Sequence, residues 1–348
     1  MLHVVLPASG WQSGRPGGRR YEKYRRKLFI ITYLSVMNKI LVTPRSLTKD
    51  GHPGLDVLRQ AGYDVVFSTP GKQPDEAELL RLLPGCVGML AGVEKISAKV
   101  LEAATDLKAI SRNGTGVDNI DLDTATRLNI HVLRAEGANA RGVAELTIGL
   151  LCGLVRAIPY SDAQMKAGQW RRKQGIELIG RTFGLIGCGK IGKLVAPMAI
   201  GLGMNVIAYD AFPDRAFAPS PQFRFASLDD VIANADFISL HCPPPQNGQP
   251  IITREVIAAM KKGVFLLNTA RAGLVNADDV LAGLNSGQIA GYATDAYEQE
   301  PPIMHDLFRH EQVILTPHIG GFTVESVERA TQIAVENLLQ ALTTELSM

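Results

Sequence analysis

None of the four cysteines, Cys86, Cys152, Cys188 and Cys242, stands in a CxxC pair or at zinc-site spacing. That argues against a disulfide framework and a zinc ribbon, and it is the usage of a reduced, cytoplasmic chain. No metal is expected. No apolar run approaches the ~18 residues that a membrane span needs; the stretches Leu28–Met37 and Thr147–Val155 fall well short. An excess of one charge is missing as well. The net +2 divides into +6 over residues 1–36 and −4 over the rest, where 29 basic residues face 33 acidic ones. A mildly acidic body is a poor nucleic-acid binder, so neither nucleic acid nor membrane is an expected partner. There is no internal repeat at solenoid period.

The 348 residues suggest two domains at roughly 150 residues each. The N-terminal stretch is unlike the remainder. Residues 11–20 are rich in glycine and arginine, a basic run follows, and then comes the apolar Leu28–Val36. A positive region before an apolar one has the order of a signal peptide, yet no A-x-A-like cleavage site follows. Met37-Asn38-Lys39 leads instead into Ile40–Thr43, which reads as a first strand. The expectation is an upstream extension over 1–36, outside the compact fold, with Met37 as the natural start.

From Ile40 short apolar strands alternate with amphipathic helices. Strands are expected at Ile40–Thr43, Asp64–Phe67, Val87–Leu90, Ala109–Ser111 and Ile130–Leu133, with helices between them. Such alternation implies a parallel sheet covered on both faces. A long helix follows from Ala140 to Val155, proline-free and with Val143, Leu146, Thr147 and Leu150 at helical spacing. A second series then supplies six strands, at Phe183–Ile186, Val206–Tyr209, Phe237–Leu240, Val264–Leu267, Tyr292–Thr294 and Val313–Leu315. Ser227, Thr253 and Asn276 stand where helix N-caps belong. A closing helix is expected over Val324–Leu342.

The strongest local signal is Gly187-Cys188-Gly189-Lys190-Ile191-Gly192. GxGxxG alone is weak, but here a strand precedes it, a helix follows, and Asp210 ends the next strand 18 residues past Gly192. Gly187 serves the tight turn, Gly189 lets a pyrophosphate approach the backbone, and Gly192 lets helix and strand pack closely. The helix N-terminus offers free N–H groups to the phosphates. Asp210 can accept from ribose hydroxyls and would repel a 2′-phosphate, which favours NAD over NADP; Arg215 leaves a minor use of NADP open.

Three segments follow later strands: Asn268–Gly273 with Arg271, Asp295–Pro302 with Glu300, and Thr316–Gly321 with His318. Ligands in open α/β sheets bind beyond the carboxyl ends of strands. An arginine fork holds a carboxylate with directional, charge-assisted bonds. A histidine can supply the proton that a carbonyl oxygen needs after hydride arrives at its carbon, and a neighbouring carboxylate favours the imidazolium. His241, without an acid partner motif, reads as structural, and Trp170 as packing under a loop.

In these surroundings Arg271, Glu300 and His318 resemble the Arg, Glu and His of the D-isomer specific 2-hydroxyacid dehydrogenase family. The stretches Gly114-Thr115-Gly116-Val117-Asp118-Asn119-Ile120-Asp121 and Asn139–Glu145 are similar to its substrate-side loop and the start of its interdomain helix. The pattern is most similar to phosphoglycerate dehydrogenases. The resemblance implies an α/β fold of two doubly wound parallel-sheet domains, with a Rossmann NAD-binding domain at 139–321 inserted in a flavodoxin-like substrate (lid) domain made of 37–138 and 322–348. It implies Arg271 on the substrate carboxylate, His318 as acid/base and Glu300 orienting it, with Thr115 and Gly116 beside the substrate. It places Asp295 on the nicotinamide carboxamide, Lys190 and Ile191 on the pyrophosphate through backbone, and Pro243, Thr269, Gly320 and Gly321 along NAD. His318 also borders the cofactor. The substrate is a small 2-keto or D-2-hydroxy acid, 3-phosphoglycerate among the options, and the assembly is a homodimer.

Two departures qualify that expectation. Family members acting on phosphohydroxypyruvate often carry an arginine after the third strand of the lid, where this chain reads Leu90-Ala91-Gly92-Val93-Glu94-Lys95. Lys95 or Arg45 would have to substitute. The sequence also stops soon after the closing helix, so the C-terminal regulatory domain of some phosphoglycerate dehydrogenases is not expected. Alternatives are a glyoxylate/hydroxypyruvate-type reductase and a non-catalytic NADH-sensing protein of the corepressor kind. Formate dehydrogenases share the fold but carry glutamine where Glu300 stands.

Overall fold

A computed structural model describes residues 38–345. The extension expected over 1–36 lies outside the described residues.

The first sheet has five parallel strands: β1 (Lys39–Val42), β2 (Asp64–Phe67), β3 (Cys86–Ala91), β4 (Ala109–Arg112) and β5 (His131–Arg134). Their spatial order is β2-β1-β3-β4-β5, the flavodoxin-like winding. The second sheet has seven: β6 (Thr182–Ile186), β7 (Asn205–Tyr209), β8 (Phe223–Phe225), β9 (Phe237–Leu240), β10 (Val264–Asn268), β11 (Ile289–Thr294) and β12 (Val313–Leu315). Their order, β12-β11-β10-β9-β6-β7-β8, reverses at β6, as a Rossmann sheet does. Both expected windings are present, with one strand more than the six read from sequence. That strand, β8, is a three-residue edge strand in which the exposed Arg224 separates two phenylalanines, too short to show periodicity.

Helix starts follow the capping chemistry. Ser227, Thr253 and Asn276 each accept the backbone N–H three residues on, and Asp75 and Asp121 do the same. The long helix Ala140–Val155 has the expected bounds and packs on β10, β11 and β12. Among the described residues no single helix is long and apolar enough to cross a membrane.

The helix Val324–Glu345 returns to the five-stranded sheet. Ala330, Ala334, Val335, Leu338 and Leu342 form one buried cluster with Ile40, Val42, Leu90 and Ala109. Gly88 is what lets the helix settle: a Cβ there would stand 3.1 Å from the Leu342 side chain. Each fully buried leucine in this cluster contributes about 2 kcal/mol of transfer free energy.

Candidate active site

β10, β11 and β12 are neighbours, so their C-terminal ends lie roughly 5 Å apart in succession. Each end delivers one group. After β10, the fully buried Asn268 ties a turn from inside: its Nδ2 donates to the Arg271 carbonyl at 2.8 Å, and its Oδ1 accepts from Ala270 N at 3.1 Å. This turn projects Arg271, which donates through Nη1 to the Ala270 carbonyl at 2.8 Å and through Nε to Asp118 Oδ2 at 3.0 Å. After β11 comes Glu300, and after β12 His318. His318 Nδ1 lies 2.6 Å from Glu300 Oε1, both side chains being about half-exposed.

His318 has a left-handed backbone, φ +53°, which costs a non-glycine residue about 1–3 kcal/mol. Asp295, buried directly after β11, holds it there. Its Oδ1 accepts from Thr316 Oγ1 at 2.6 Å and Ile319 N at 2.8 Å, and its Oδ2 from Gly320 N at 2.7 Å. The Tyr297 hydroxyl donates to the Thr316 carbonyl at 2.9 Å. Asp295, the residue expected on a nicotinamide carboxamide, also holds this turn.

The phosphate-binding turn fits a dinucleotide. Gly187 has φ +98°, and a Cβ on it would meet the His241 and Cys242 backbone at 2.6–2.7 Å. A Cβ on Gly192 would collide with the Gly187 carbonyl oxygen, whereas nothing lies within 4 Å of one at Gly189. Packing thus demands the first and third glycines, and the second faces open space where a pyrophosphate can enter. Asp210 directly follows β7, its Oδ2 accepting from Cys188 N at 2.7 Å and its Oδ1 from Phe212 N at 2.8 Å. Its remaining lone pairs are free for a ribose. The Lys190 side chain turns away to Glu136, at 3.2 Å. Ile191 sits at the start of the helix Gly192–Gly201. Pro243 is exposed after β9. Thr269 is buried with its hydroxyl 3.0 Å from that of Thr147. Gly320 and Gly321 pack against Gly142 and Asn139 at the foot of the long helix.

Residues 148–320 match the NAD-binding domain of the D-isomer specific 2-hydroxyacid dehydrogenases. The chain is 38% identical over 274 residues to the hydroxypyruvate reductase of Thermotoga maritima, covering 77% of this chain and 89% of that one. The chain belongs to the D-isomer specific 2-hydroxyacid dehydrogenase family. It is also similar to the D-3-phosphoglycerate dehydrogenase of Methanocaldococcus jannaschii, 41% identical over 315 residues, 89% of this chain and 59% of that one. It thus spans less than two thirds of that relative's length. A solved structure of a Thermus thermophilus protein aligns with TM-score 0.79 and 34% identity, over 88% of this chain and 97% of that one. The cofactor of this family member is NAD.

The structure adds residues that the motifs did not single out. Arg112 ends β4 with its Nη1 donating to the Asn113 carbonyl at 2.8 Å, while its Nε is sealed from solvent without a partner. Burial draws its guanidinium below the usual arginine range, against the opposing field of Glu94. Thr115 and Gly116 lie in the turn between Arg112 and Asp118, and a Cβ on Gly116 would stand 2.6 Å from Arg271 Nη2. Trp170 does not pack under a loop: among the described residues it is 80% exposed.

His241, read from the sequence as structural, meets a neutral hydroxyl. Its Nε2 lies 2.8 Å from Ser239 Oγ, and its Nδ1 is sealed without a partner. Burial pushes its pKa down to about 3, against roughly 6.5 unfolded. Between these values the unfolded chain binds a proton that the folded chain refuses. The stabilisation is complete above about pH 6.5 and is lost as pH falls toward 3. By pH 5 the loss is about 2 kcal/mol, from 1.5 pH units at about 1.36 kcal/mol each. The His241→Gln variant is therefore expected to lose less stability than wild type between pH 7 and pH 5. Urea unfolding at the two pH values checks this, and equal losses would place the acid sensitivity elsewhere.

Proposed function

We propose that the protein is an NAD-dependent oxidoreductase that interconverts a D-2-hydroxy acid and the corresponding 2-keto acid. The observation that carries this reading is the 2.6 Å contact of His318 with Glu300, delivered beside Arg271 from three adjacent strand ends.

Arg271 binds the substrate carboxylate, with Asp118 on Nε and Gly116 beside Nη2. His318 donates through Nδ1 to Glu300, which fixes the ring and leaves Nε2 to exchange the proton with the substrate oxygen. When bound, NAD supplies or accepts the hydride. Gly187, Gly189, Gly192 and the backbone of Lys190 and Ile191 hold its pyrophosphate, and Asp210 its ribose. Pro243, Thr269, Gly320 and Gly321 border it. Asp295 Oδ2 has one partner, which leaves it a lone pair for the carboxamide.

Residues 139–321 act as the cofactor domain, and 37–138 with 322–348 as the substrate domain that closes on it. A homodimer fits the exposed Ile158, Met165, Trp170 and Ile179 on the cofactor side, apolar surface that a second copy would cover. A cytoplasmic location fits the four free thiols.

The test is NADH oxidation by the full chain with phosphohydroxypyruvate, hydroxypyruvate, glyoxylate, pyruvate and 2-ketoglutarate. Turnover of at least one is expected. Silence on all five, together with NADH-dependent capture of a protein partner, would overturn catalysis in favour of NADH sensing.

A further inference from the structure

We propose that the distal end of the substrate site is built for a small, uncharged substituent, so that the preferred substrate is an unphosphorylated, monoanionic 2-keto acid. This deepens the oxidoreductase reading and rests on it.

The inference starts from the turn Gly114-Thr115-Gly116, which is flanked by two guanidinium groups. A Cβ on Gly114 would stand 2.7 Å from Arg112 Nη1, and one on Gly116 2.6 Å from Arg271 Nη2. Arg112 at the end of β4 and Arg271 reaching across from the end of β10 therefore flank this turn. Two arginines so close would suit a substrate anionic at both ends, were they uncompensated.

A carboxylate acts on each of them. Asp118 sits on Arg271 Nε at 3.0 Å. Glu94 is the charge that most strongly opposes the effect of burial on Arg112. β3 and β4 bring the two together: Ala91 pairs with Arg112, and Glu94 follows three residues after Ala91. Glu94 is 1% exposed and cannot swing away. Its Oε1 accepts from the Thr43 hydroxyl and from Gly92 N at 2.9 Å, and its backbone carbonyl accepts from Asn119 Nδ2 at 2.6 Å.

The same carboxylate shapes position 92. A Cβ on Gly92 would stand 2.7 Å from Glu94 Oε2 and 3.2 Å from Pro44 Cα, so a larger side chain there would force both to shift. An arginine is missing after the third strand, and at position 92 its Cβ would crowd the Pro44 backbone. Lys95 does not replace it: it is exposed, and its field falls on Glu76. Arg45 is exposed on the first turn after β1.

Two cations and two carboxylates leave this end without net positive charge. One substrate carboxylate on Arg271 is accommodated by its bidentate fork. A phosphate dianion added beside the buried Glu94 would face a like charge that cannot move, an arrangement that discriminates strongly against it.

The experiment is kcat/KM with saturating NADH for hydroxypyruvate and phosphohydroxypyruvate, in wild type, Glu94→Gln and Arg45→Ala. Wild type is expected to favour hydroxypyruvate by about tenfold or more, the scale of one close charge contact. Glu94→Gln keeps the shape and the acceptor for Gly92 N, and is expected to move the ratio about tenfold toward the phosphorylated acid. A wild-type preference for phosphohydroxypyruvate overturns the proposal, the more so if Arg45→Ala abolishes that preference. An unmoved ratio in a folded Glu94→Gln protein overturns it too. Should that variant not fold, inorganic phosphate against hydroxypyruvate in wild type decides: no competition supports the proposal, and competitive inhibition overturns it. Turnover of glyoxylate or pyruvate beside a phosphohydroxypyruvate preference would sink this inference alone, whereas silence on every keto acid sinks the oxidoreductase reading with it.

Discussion

His318→Ala is expected to lower kcat/KM for the preferred keto acid by about 10²–10⁴, the usual worth of a positioned acid–base group. NADH binding should persist, because the phosphate turn at Gly187–Gly192 and Asp210 lie on other strands. The expected loss falls on kcat, since proton transfer belongs to the reaction step and not to ground-state binding. The left-handed backbone at this position sharpens the test: alanine must adopt φ near +53° in a turn that Asp295 still holds with its three hydrogen bonds. A matched thermal melt therefore belongs with the kinetics. Near wild-type turnover in a folded His318→Ala protein would remove His318 from the chemistry.

Arg271→Lys is expected to cost about 10²–10³ in kcat/KM, from the 2–5 kcal/mol lost when one member of a hydrogen-bonded charge pair is cut back. Lysine keeps the charge but not the fork, so it cannot grip two carboxylate oxygens while also engaging Asp118 and the Ala270 carbonyl. Unlike the histidine variant, this one should raise KM for the keto acid, and it should leave the affinity for NADH nearly unchanged. Steady-state kinetics with each substrate varied in turn, beside NADH fluorescence titration, separate these outcomes. A variant with unchanged keto-acid KM would mean that the carboxylate is held by another group, with Arg112 the first to examine.

Much of this arrangement could be read from residue order, for identifiable reasons. Strands such as Asp64–Phe67, Phe237–Leu240 and Val313–Leu315 have the expected bounds, because short apolar runs between polar breaks leave little ambiguity. The glycine fingerprint was legible because Gly187 and Gly192 answer local steric demands and Gly189 leaves the approach open. What was not legible depends on contacts between distant segments. Neither Glu94 nor Arg112 belongs to a motif, and their relation exists only once β3 lies beside β4. Asp118 was visible as part of a loop, but its grip on Arg271 requires both sheets. Asp295 shows a related limit: its place after a strand was clear, but not that Thr316, Ile319 and Gly320 would claim its oxygens. Trp170 was misjudged because an apolar side chain shows only that it would gain from being covered, and the described residues leave it exposed.

The helix Val324–Glu345, which packs on β3, β4 and β5, sets an order of events for a chain made from its N-terminus. The strands of the first sheet are synthesised early, yet one wall of their core, from Ala330 to Leu342, is synthesised last. The entire seven-stranded unit emerges in between and can fold as a contiguous piece. The nascent protein must therefore carry an unfinished sheet, with Ile40, Leu90 and Ala109 uncovered on one face, past a neighbour that is already complete. Interrupting translation before Leu338 would leave a chain with a whole dinucleotide fold and a sticky, half-built companion.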